Sequence, residues 1–369
     1  MSSTGRTIAS VAVWPVDVPL SDPFVISRGA VTQASVAFVR VRLDDGSAGY
    51  GEIAPFTALT GETRDGAMES ARRLAGALVG RPAEDWIAHA ASMSAAEPGE
   101  PAARSGLECA LVDALARSRG LPLHRFWHDL GGTPDLRERE TDMTLPLLEE
   151  GRLDQLAAQW HDRGFRTFKL KVGGDLDADI RRVERIARRY SDVSFILDAN
   201  QGFDLAQARA FVDALAAHHL RVRLIEQPLA REDVEGMAAL RQRSPVAIAA
   251  DEAVFTLADA RRVIAARAAD CINLKITKSG LAETIAIARE ARGAGLALMI
   301  GGMMETRLAM SFSYALVLAL GWIEHLDLDT PLLMATDPLS GGYTYRGPAL
   351  TIWNEAGAGA TPRWQPDGP

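Results

Sequence analysis

The chain has little that would staple it or anchor it. Only two cysteines, Cys109 and Cys271, stand in 369 residues, and neither lies in a Cys-x-x-Cys pair. That excludes a disulfide framework and a thiolate metal site. Two buried thiols in a reducing compartment are expected instead. No apolar run reaches the roughly 18 residues of a membrane span. Thr7–Val18 is apolar but short, alternating and broken by Pro15. No signal segment is read at the N-terminus, so the expected location is the cytoplasm, with no membrane partner. Basic residues number 40 against 48 acidic ones. The basic excess of a nucleic-acid-binding protein is therefore missing, and no nucleic-acid partner is expected. His89, His124, His128, His161, His218 and His219 show no ligand-like spacing with carboxylates. They read as surface or satisfied core residues.

What is present is a large apolar content, 47%, and a chain long enough for one barrel of roughly 200–250 residues plus a smaller domain. The first 130 residues read as α+β. Strands are expected at Ile8–Val16, Ser35–Leu43 and Ala48–Glu52, the last two joined by the turn Asp44-Asp45-Gly46. Helical patterns follow at Thr63–Ala77, Ala83–Met93 and Ala102–Arg119, and Gly120-Leu121-Pro122 stops the last. A short piece, Leu123–Asp129, leads to a boundary at Gly131-Gly132.

From about Glu140 short apolar runs alternate with amphipathic stretches. The runs are Thr141–Leu147, Thr167–Val172, Ser194–Asp198, Arg223–Glu226, Val246–Ala249, Cys271–Ile276, Ala297–Ile300 and Trp322–Leu328. Eight strands with helices between them imply a parallel sheet closed into a barrel. The expected division is a cap over 1–130, a barrel over 131–335, and a Gly/Pro-rich segment over 336–369 that returns to the cap.

The charged residues at the strand ends carry the chemistry. Lys171, Asp198, Glu226, Asp251 and Lys275 recur about every 26 residues, one βα unit apart, and Asp327 follows two units later. One charge is thus presented at the same end of each of several strands, the end where barrel enzymes keep their active sites. Burying such charges is costly without partners or a metal. Asp198, Glu226 and Asp251, on adjacent strands, repel one another unless a cation neutralises them. An oxygen-only set favours a hard ion, Mg²⁺ before Zn²⁺. Lys169 and Lys171, two apart on one strand, share a face. Crowded together, each is expected to lower the other's pKa and so to become a usable base. Lys275 lies across the mouth, so two lysines flank one carbon.

Together Lys169-Leu170-Lys171, Asp198-Ala199-Asn200, Glu226-Gln227-Pro228, Asp251-Glu252 and Asn273-Leu274-Lys275 resemble the enolase superfamily, in its muconate lactonizing enzyme subgroup. The resemblance runs from Pro23-Phe24 to Gly341-Gly342. It implies an α+β cap over a modified barrel, (β/α)₇β. It implies one Mg²⁺ per subunit on Asp198, Glu226 and Asp251, and acid/base roles for Lys171 and Lys275. Lys169 would tune Lys171 and help hold the enolate, and a homo-oligomer is implied. Asn200 and Glu252 are expected behind the ligands, orienting them and Lys275. His325-Leu326-Asp327-Leu328-Asp329-Thr330-Pro331 resembles the dipeptide epimerase branch, in which the aspartate pair holds the ammonium terminus. Both aspartates are expected to face one way on the eighth strand. The implied reaction is epimerisation of a dipeptide's C-terminal residue. Muconate cycloisomerisation, o-succinylbenzoate synthesis and N-acylamino acid racemisation are the alternatives on the same scaffold. Specificity is expected from the cap loops Leu20–Val31 and Pro55–Thr63, including Arg28, Thr57, Leu59 and Thr60, and from Met303-Met304-Glu305. The segment Lys278-Ser279-Gly280-Leu281 departs from the family's glycine pair and reads as a loop change.

Overall fold

The computed structural model describes residues 5–26, 29–127, 130 and 132–366. The chain opens with an antiparallel sheet of β1 (Ile8–Ile26), β2 (Gly29–Leu43) and β3 (Ala48–Ile53) in that spatial order. β1 and β2 run longer than their apolar alternation suggests. Phe24 pairs with Val31 and Ile26 with Gly29, so the segment expected as the loop Leu20–Val31 is the tip of a hairpin. Pro15, Pro19 and Pro23 disguise it. They are tolerated because β1 is an edge strand, where a missing N–H breaks no ladder.

The helices α1 (Thr57–Thr60), α2 (Arg64–Leu78), α3 (Trp86–Ala96), α4 (Pro101–Ser118) and α5 (Leu123–Phe126) follow. In α4 every residue from Pro101 to Ala116 is buried. A helix enclosed on all sides needs small residues where backbones meet. A Cβ on Gly51 would lie 2.1 Å from the Gly106 carbonyl oxygen, and one on Gly49 would lie 2.0 Å from the Ala114 nitrogen. Both positions exclude any larger side chain.

A short strand, β4 (Arg139–Glu140), precedes the barrel, whose strands are β5 (Met143–Leu145), β6 (Thr167–Lys171), β7 (Ser194–Asp198), β8 (Val222–Glu226), β9 (Ala247–Ala250), β10 (Cys271–Leu274), β11 (Ala297–Ile300) and β12 (His325–Leu326). They are hydrogen-bonded in sequence order and parallel. The ring closes where the Asp142 N–H donates to the Leu326 carbonyl (3.0 Å). Seven crossovers carry helices: α6 (Glu150–Asp162), α7 (Leu176–Arg189), α8 (Leu205–Ala217), α9 (Val234–Arg241), α10 (Leu257–Ala265), the pair α11 (Ile276–Ser279) and α12 (Leu281–Gly293), and α13 (Arg307–Leu320). No α-helix follows β12 among the described residues, and the architecture is (β/α)₇β. The first and last strands are shorter than expected, because Thr141, Asp142, Asp327 and Leu328 bend into the closure. Ile196, Leu224, Ala249, Cys271 and Met299 plug the barrel floor.

Buried carboxylates fasten the antiparallel sheet and α4 to the barrel. Glu52 accepts from Thr306 N (2.8 Å), Thr306 Oγ1 (2.5 Å) and Ala309 N (3.2 Å) at the start of α13. Glu108 accepts from Ala282 N (2.9 Å) at the start of α12. Helix N-termini carry free N–H groups and partial positive charge, so an anion there is favoured. After β12 the chain turns back. Ala358 N donates to Asp113 (2.6 Å) and Arg40 donates to Gln365 (2.9 Å).

His124 is buried edge-on against Trp353, with ring centroids 5.2 Å apart. Burial, aided by Arg125, pushes its pKa down to about 4. The unfolded chain protonates this ring near pH ~6.5, whereas the folded chain resists until about 4. Its contribution to stability is therefore complete above ~6.5 and is lost as pH falls toward 4, by roughly 3 kcal/mol. In urea unfolding at pH 4.5 and 7.5, His124→Gln should lose less stability on acidification than the parent chain. An equal loss would show that His124 does not control the acid limb.

Candidate active site

Strand register levels the charged side chains. Lys171 pairs with Asp198, and Asp198 with Glu226, across β6, β7 and β8. Asp251 follows β9, Lys275 follows β10 and Asp327 lies one residue past β12. Asp198, Glu226 and Asp251 are wholly buried. β6 and the end of β10 lie four strands apart in an eight-strand ring, so Lys171 and Lys275 stand on opposite walls.

The turns that follow these strands are strained. Asn200, Gln201 and Gln227 adopt left-handed backbone, with φ of 42°, 68° and 35°. Such conformations persist only where surroundings over-determine them. Around Gln227 the surroundings are visible: its Oε1 accepts from Asp251 N and Ala253 N (both 3.0 Å), and its Nε2 donates to Leu229 O (2.9 Å). One amide thus ties the turn after Glu226 to the turn after Asp251.

Lysines and carboxylates interlock at the mouth. Lys169 Nζ lies 2.7 Å from Asp327, 2.8 Å from Glu226 and 3.0 Å from Asp198. Lys171 Nζ donates to Asp198 (2.7 Å) and Asn200 (3.0 Å). Lys275 Nζ donates to Asp251 Oδ2 (2.6 Å). Burial alone would raise Asp198 and Asp251. Lys169 and Lys171 override it at the first, Lys275 and Lys278 at the second, and both carboxyls end well below the usual range. Glu226 goes the other way, to about 8, through burial and the neighbouring Asp198.

Lys169 departs from the expectation that paired lysines lower one another. Burial pulls Lys169 and Lys275 down, but the surrounding carboxylates outweigh it and hold both above the ordinary lysine value. Anions outnumber cations at the mouth, so lysine–lysine repulsion is the smaller effect. Added positive charge on the carboxylates would reverse that balance. The donor set fits such a cation: three carboxylates, no His or Cys, and a Glu226 Oε2 that accepts no well-formed hydrogen bond despite Lys169 nearby.

The remaining expected residues are placed as follows. Asn200 donates to Glu252 (3.2 Å), and the Lys275 charge also acts on the Glu252 carboxyl. Met303 is buried. Thr57 is exposed in α1 and donates to the Glu62 carbonyl (2.7 Å). Arg28, His128 and Gly131 lie outside the described residues. Of the described histidines, His89, His161 and His218 bond Pro82, Asp192 and Glu184, away from the mouth. Asp327 and Asp329 do not alternate along a strand as expected. β12 ends at Leu326, and Asp329 caps a 3₁₀ turn, Thr330–Leu333. The two side chains converge because the chain bends inward there to meet β5. Asp329 accepts from Thr144 N (2.5 Å) and is wholly buried.

Residues 8–127 match the mandelate racemase/muconate lactonizing enzyme N-terminal domain, and residues 152–366 match the enolase C-terminal domain-like family. The chain belongs to the mandelate racemase/muconate lactonizing enzyme family of the enolase superfamily. It is 39% identical over 354 residues to an aromatic dipeptide epimerase of Herpetosiphon aurantiacus, covering 96% of this chain and 98% of that one. It is 36% identical to a hydrophobic dipeptide epimerase of Citrifermentans bemidjiense, covering 86% and 88%. The structure of a dipeptide epimerase from Cytophaga hutchinsonii, complexed with Mg and the dipeptide D-Ala-L-Val, superimposes with a TM-score of 0.91 at 32% identity, covering 98% and 97%.

Two polar residues of this enolase-superfamily mouth were passed over in the sequence. Lys278, read as part of a loop change, sits buried in α11 and donates to Asp251 Oδ1 (2.5 Å), Asp251 O (2.7 Å) and Asn273 O (3.0 Å). Its three-residue offset from Lys275 becomes one helical turn, which no strand pattern reveals. Asp142 sits buried beside Asp327 and Asp329, and oxygens of the three lie within 4.8 Å of one another. Its signal was a carboxylate opening the apolar run Thr141–Leu147.

A divalent cation that binds the folded mouth and not the unfolded chain should stabilise the protein, by about 2.7 kcal/mol at a hundredfold excess over Kd. Thermal unfolding with and without Mg²⁺ should show this rise, and Asp198→Asn or Asp251→Asn should remove it. A parent chain indifferent to Mg²⁺ would refute the carboxylate set as a cation site.

Proposed function

We propose that the protein is an Mg²⁺-dependent dipeptide epimerase that inverts the α-carbon of the C-terminal residue. The observation carrying this reading is the pair of lysines on opposite walls, Lys171 and Lys275, with three buried carboxylates between them and two aspartates beyond β12. Asp198, Glu226 and Asp251 would hold the Mg²⁺. When bound, it takes up the charge that develops on the substrate carboxylate as the α-proton leaves. Lys171 removes the proton from one face and Lys275 returns one to the other. Lys169, held among three carboxylates, supplies fixed positive charge beside the enolate. Asp327 and Asp329 receive the ammonium terminus. A dianionic muconate would meet these aspartates with repulsion, which disfavours cycloisomerisation.

An apolar or aromatic residue at the inverted position is supported by buried Met303 and Met304 and by the likeness to an aromatic and a hydrophobic dipeptide epimerase. Thr57 and Arg28 would contribute from the cap. The division into a cap to residue 130, a barrel to 335 and a returning segment 336–369 is supported by the bonds from Ala358 and Gln365 back to Asp113 and Arg40. A cytoplasmic setting is supported by the two free, buried cysteines, and the acidic net charge of −8 supports a protein that handles no nucleic acid. A homo-oligomer is part of the same reading, supported by family membership.

Incubation with mixed L,L-dipeptides in D₂O with Mg²⁺ should place deuterium at one α-position and generate the L,D epimers, read by mass spectrometry and chiral chromatography. Turnover of a muconate or a succinylbenzoate precursor with no dipeptide exchange would overturn the reading. Lys275→Ala should cut epimerisation by about 10²–10⁴-fold while leaving exchange from a single stereoisomer. Full epimerisation in that variant would rule out the two-base mechanism.

A further inference from the structure

Asp142 has a position that the reaction as described does not explain. It directly precedes β5, is 2% exposed, and its backbone closes the barrel through Leu326. Alternation along β5 puts its side chain on the face of Thr144, whose register partner is Lys169. Neither carboxyl oxygen of Asp142 accepts a hydrogen bond, and Asp329 Oδ1 accepts none either. The other arms are spoken for: Thr144 N occupies Asp329 Oδ2 (2.5 Å), and Lys169 occupies Asp327 Oδ2 (2.7 Å). Burial, with Asp327 close by, raises Asp142 well above the carboxylate range and Asp329 to about 7. A buried carboxyl with no donor is destabilising. Three such free oxygens, both of Asp142 and one of Asp329, beside Asp327 mark a place built for donors that the chain does not itself supply.

We propose that Asp142 is a specificity-determining residue, the third wall of the pocket formed with Asp327 and Asp329, and that the three together receive the three N–H bonds of the dipeptide's α-ammonium group. This rests on the dipeptide epimerase reading. A primary ammonium has three donors in tetrahedral array, and in a dry pocket each needs an acceptor. Two aspartates beyond β12 serve one side, and Asp142, from the neighbouring strand β5, serves the side facing the barrel axis. A divalent metal ion fits less well. Lys169 Nζ already stands 2.7 Å from Asp327, so a doubly charged ion would meet a fixed ammonium. The pocket therefore requires a free, protonated N-terminus. An N-acyl group brings neither the charge nor the three donors, and it leaves these carboxyls unpaired.

The test uses the Mg²⁺-loaded enzyme and Asp142→Asn, with Asp142→Ser as a second variant and Asp327→Asn as a reference. Because a donorless buried carboxyl is removed, Asp142→Asn should fold with a melting temperature at or above that of the parent. Its KM for a dipeptide substrate should rise about 10–100-fold with kcat changed less than about threefold, and preference for the dipeptide over its N-acetyl derivative should fall by the same factor. Asp142→Ser should shift KM in the same direction. Folded Asp142 variants with parental KM, alongside an impaired Asp327→Asn, would overturn the third wall and leave the epimerase reading standing. Binding of two Mn²⁺ per subunit, one lost in Asp142→Asn, would overturn it in favour of an inorganic cation. A parent enzyme that turns over no dipeptide would overturn both.

Discussion

Everything at the barrel mouth depends on an excess of buried negative charge. Eight buried carboxyl groups, Asp142, Asp198, Glu226, Asp251, Glu252, Glu305, Asp327 and Asp329, face four lysines, Lys169, Lys171, Lys275 and Lys278. Charges of one sign at this density are tolerable only with counter-charge at contact distance. Lys169 shows the consequence, since it touches three carboxylates at the ends of three different strands. The same imbalance makes the mouth a receptor for cations. In the proposed reading a metal ion takes the side of β7, β8 and β9, and a substrate ammonium takes the side of β12 and β5.

Holding this charge in place takes rigidity that the strands alone do not give. The left-handed turns at Asn200, Gln201 and Gln227 aim the residues that follow the carboxylate-bearing strands, and Gln227 fixes two such turns at once. Lys278 fixes Asp251 from behind with two bonds and ties it to Asn273 O with a third. From above, Glu52 and Glu108 anchor to the N-termini of α13 and α12. These helices flank β11, so the two carboxylates tie the antiparallel sheet and α4 to one wall of the barrel.

The sequence reached most of this fold through periodicity. An apolar run followed by a single charge, recurring about every 26 residues, is legible because a βα unit has a nearly fixed length and a strand end has a fixed place in a barrel. It went wrong where local pattern and tertiary demand diverge. Prolines hid the long hairpin. The bend at Asp327 looked like continued strand. Lys278 looked like loop because a one-turn helix leaves no periodic trace.

By itself the sequence determined the barrel, the identity of Lys171, Asp198, Glu226, Asp251 and Lys275 as one constellation, and the acidic character of the site. These follow from position along a strand, which is a local property. Only the tertiary structure decided what meets across the closure. Asp142 and Asp329 are separated by most of the barrel in sequence, yet they share one space because the Asp142 N–H bonds to Leu326. Ring closure brings the first strand beside the last, and no local spacing encodes which of their side chains then face each other.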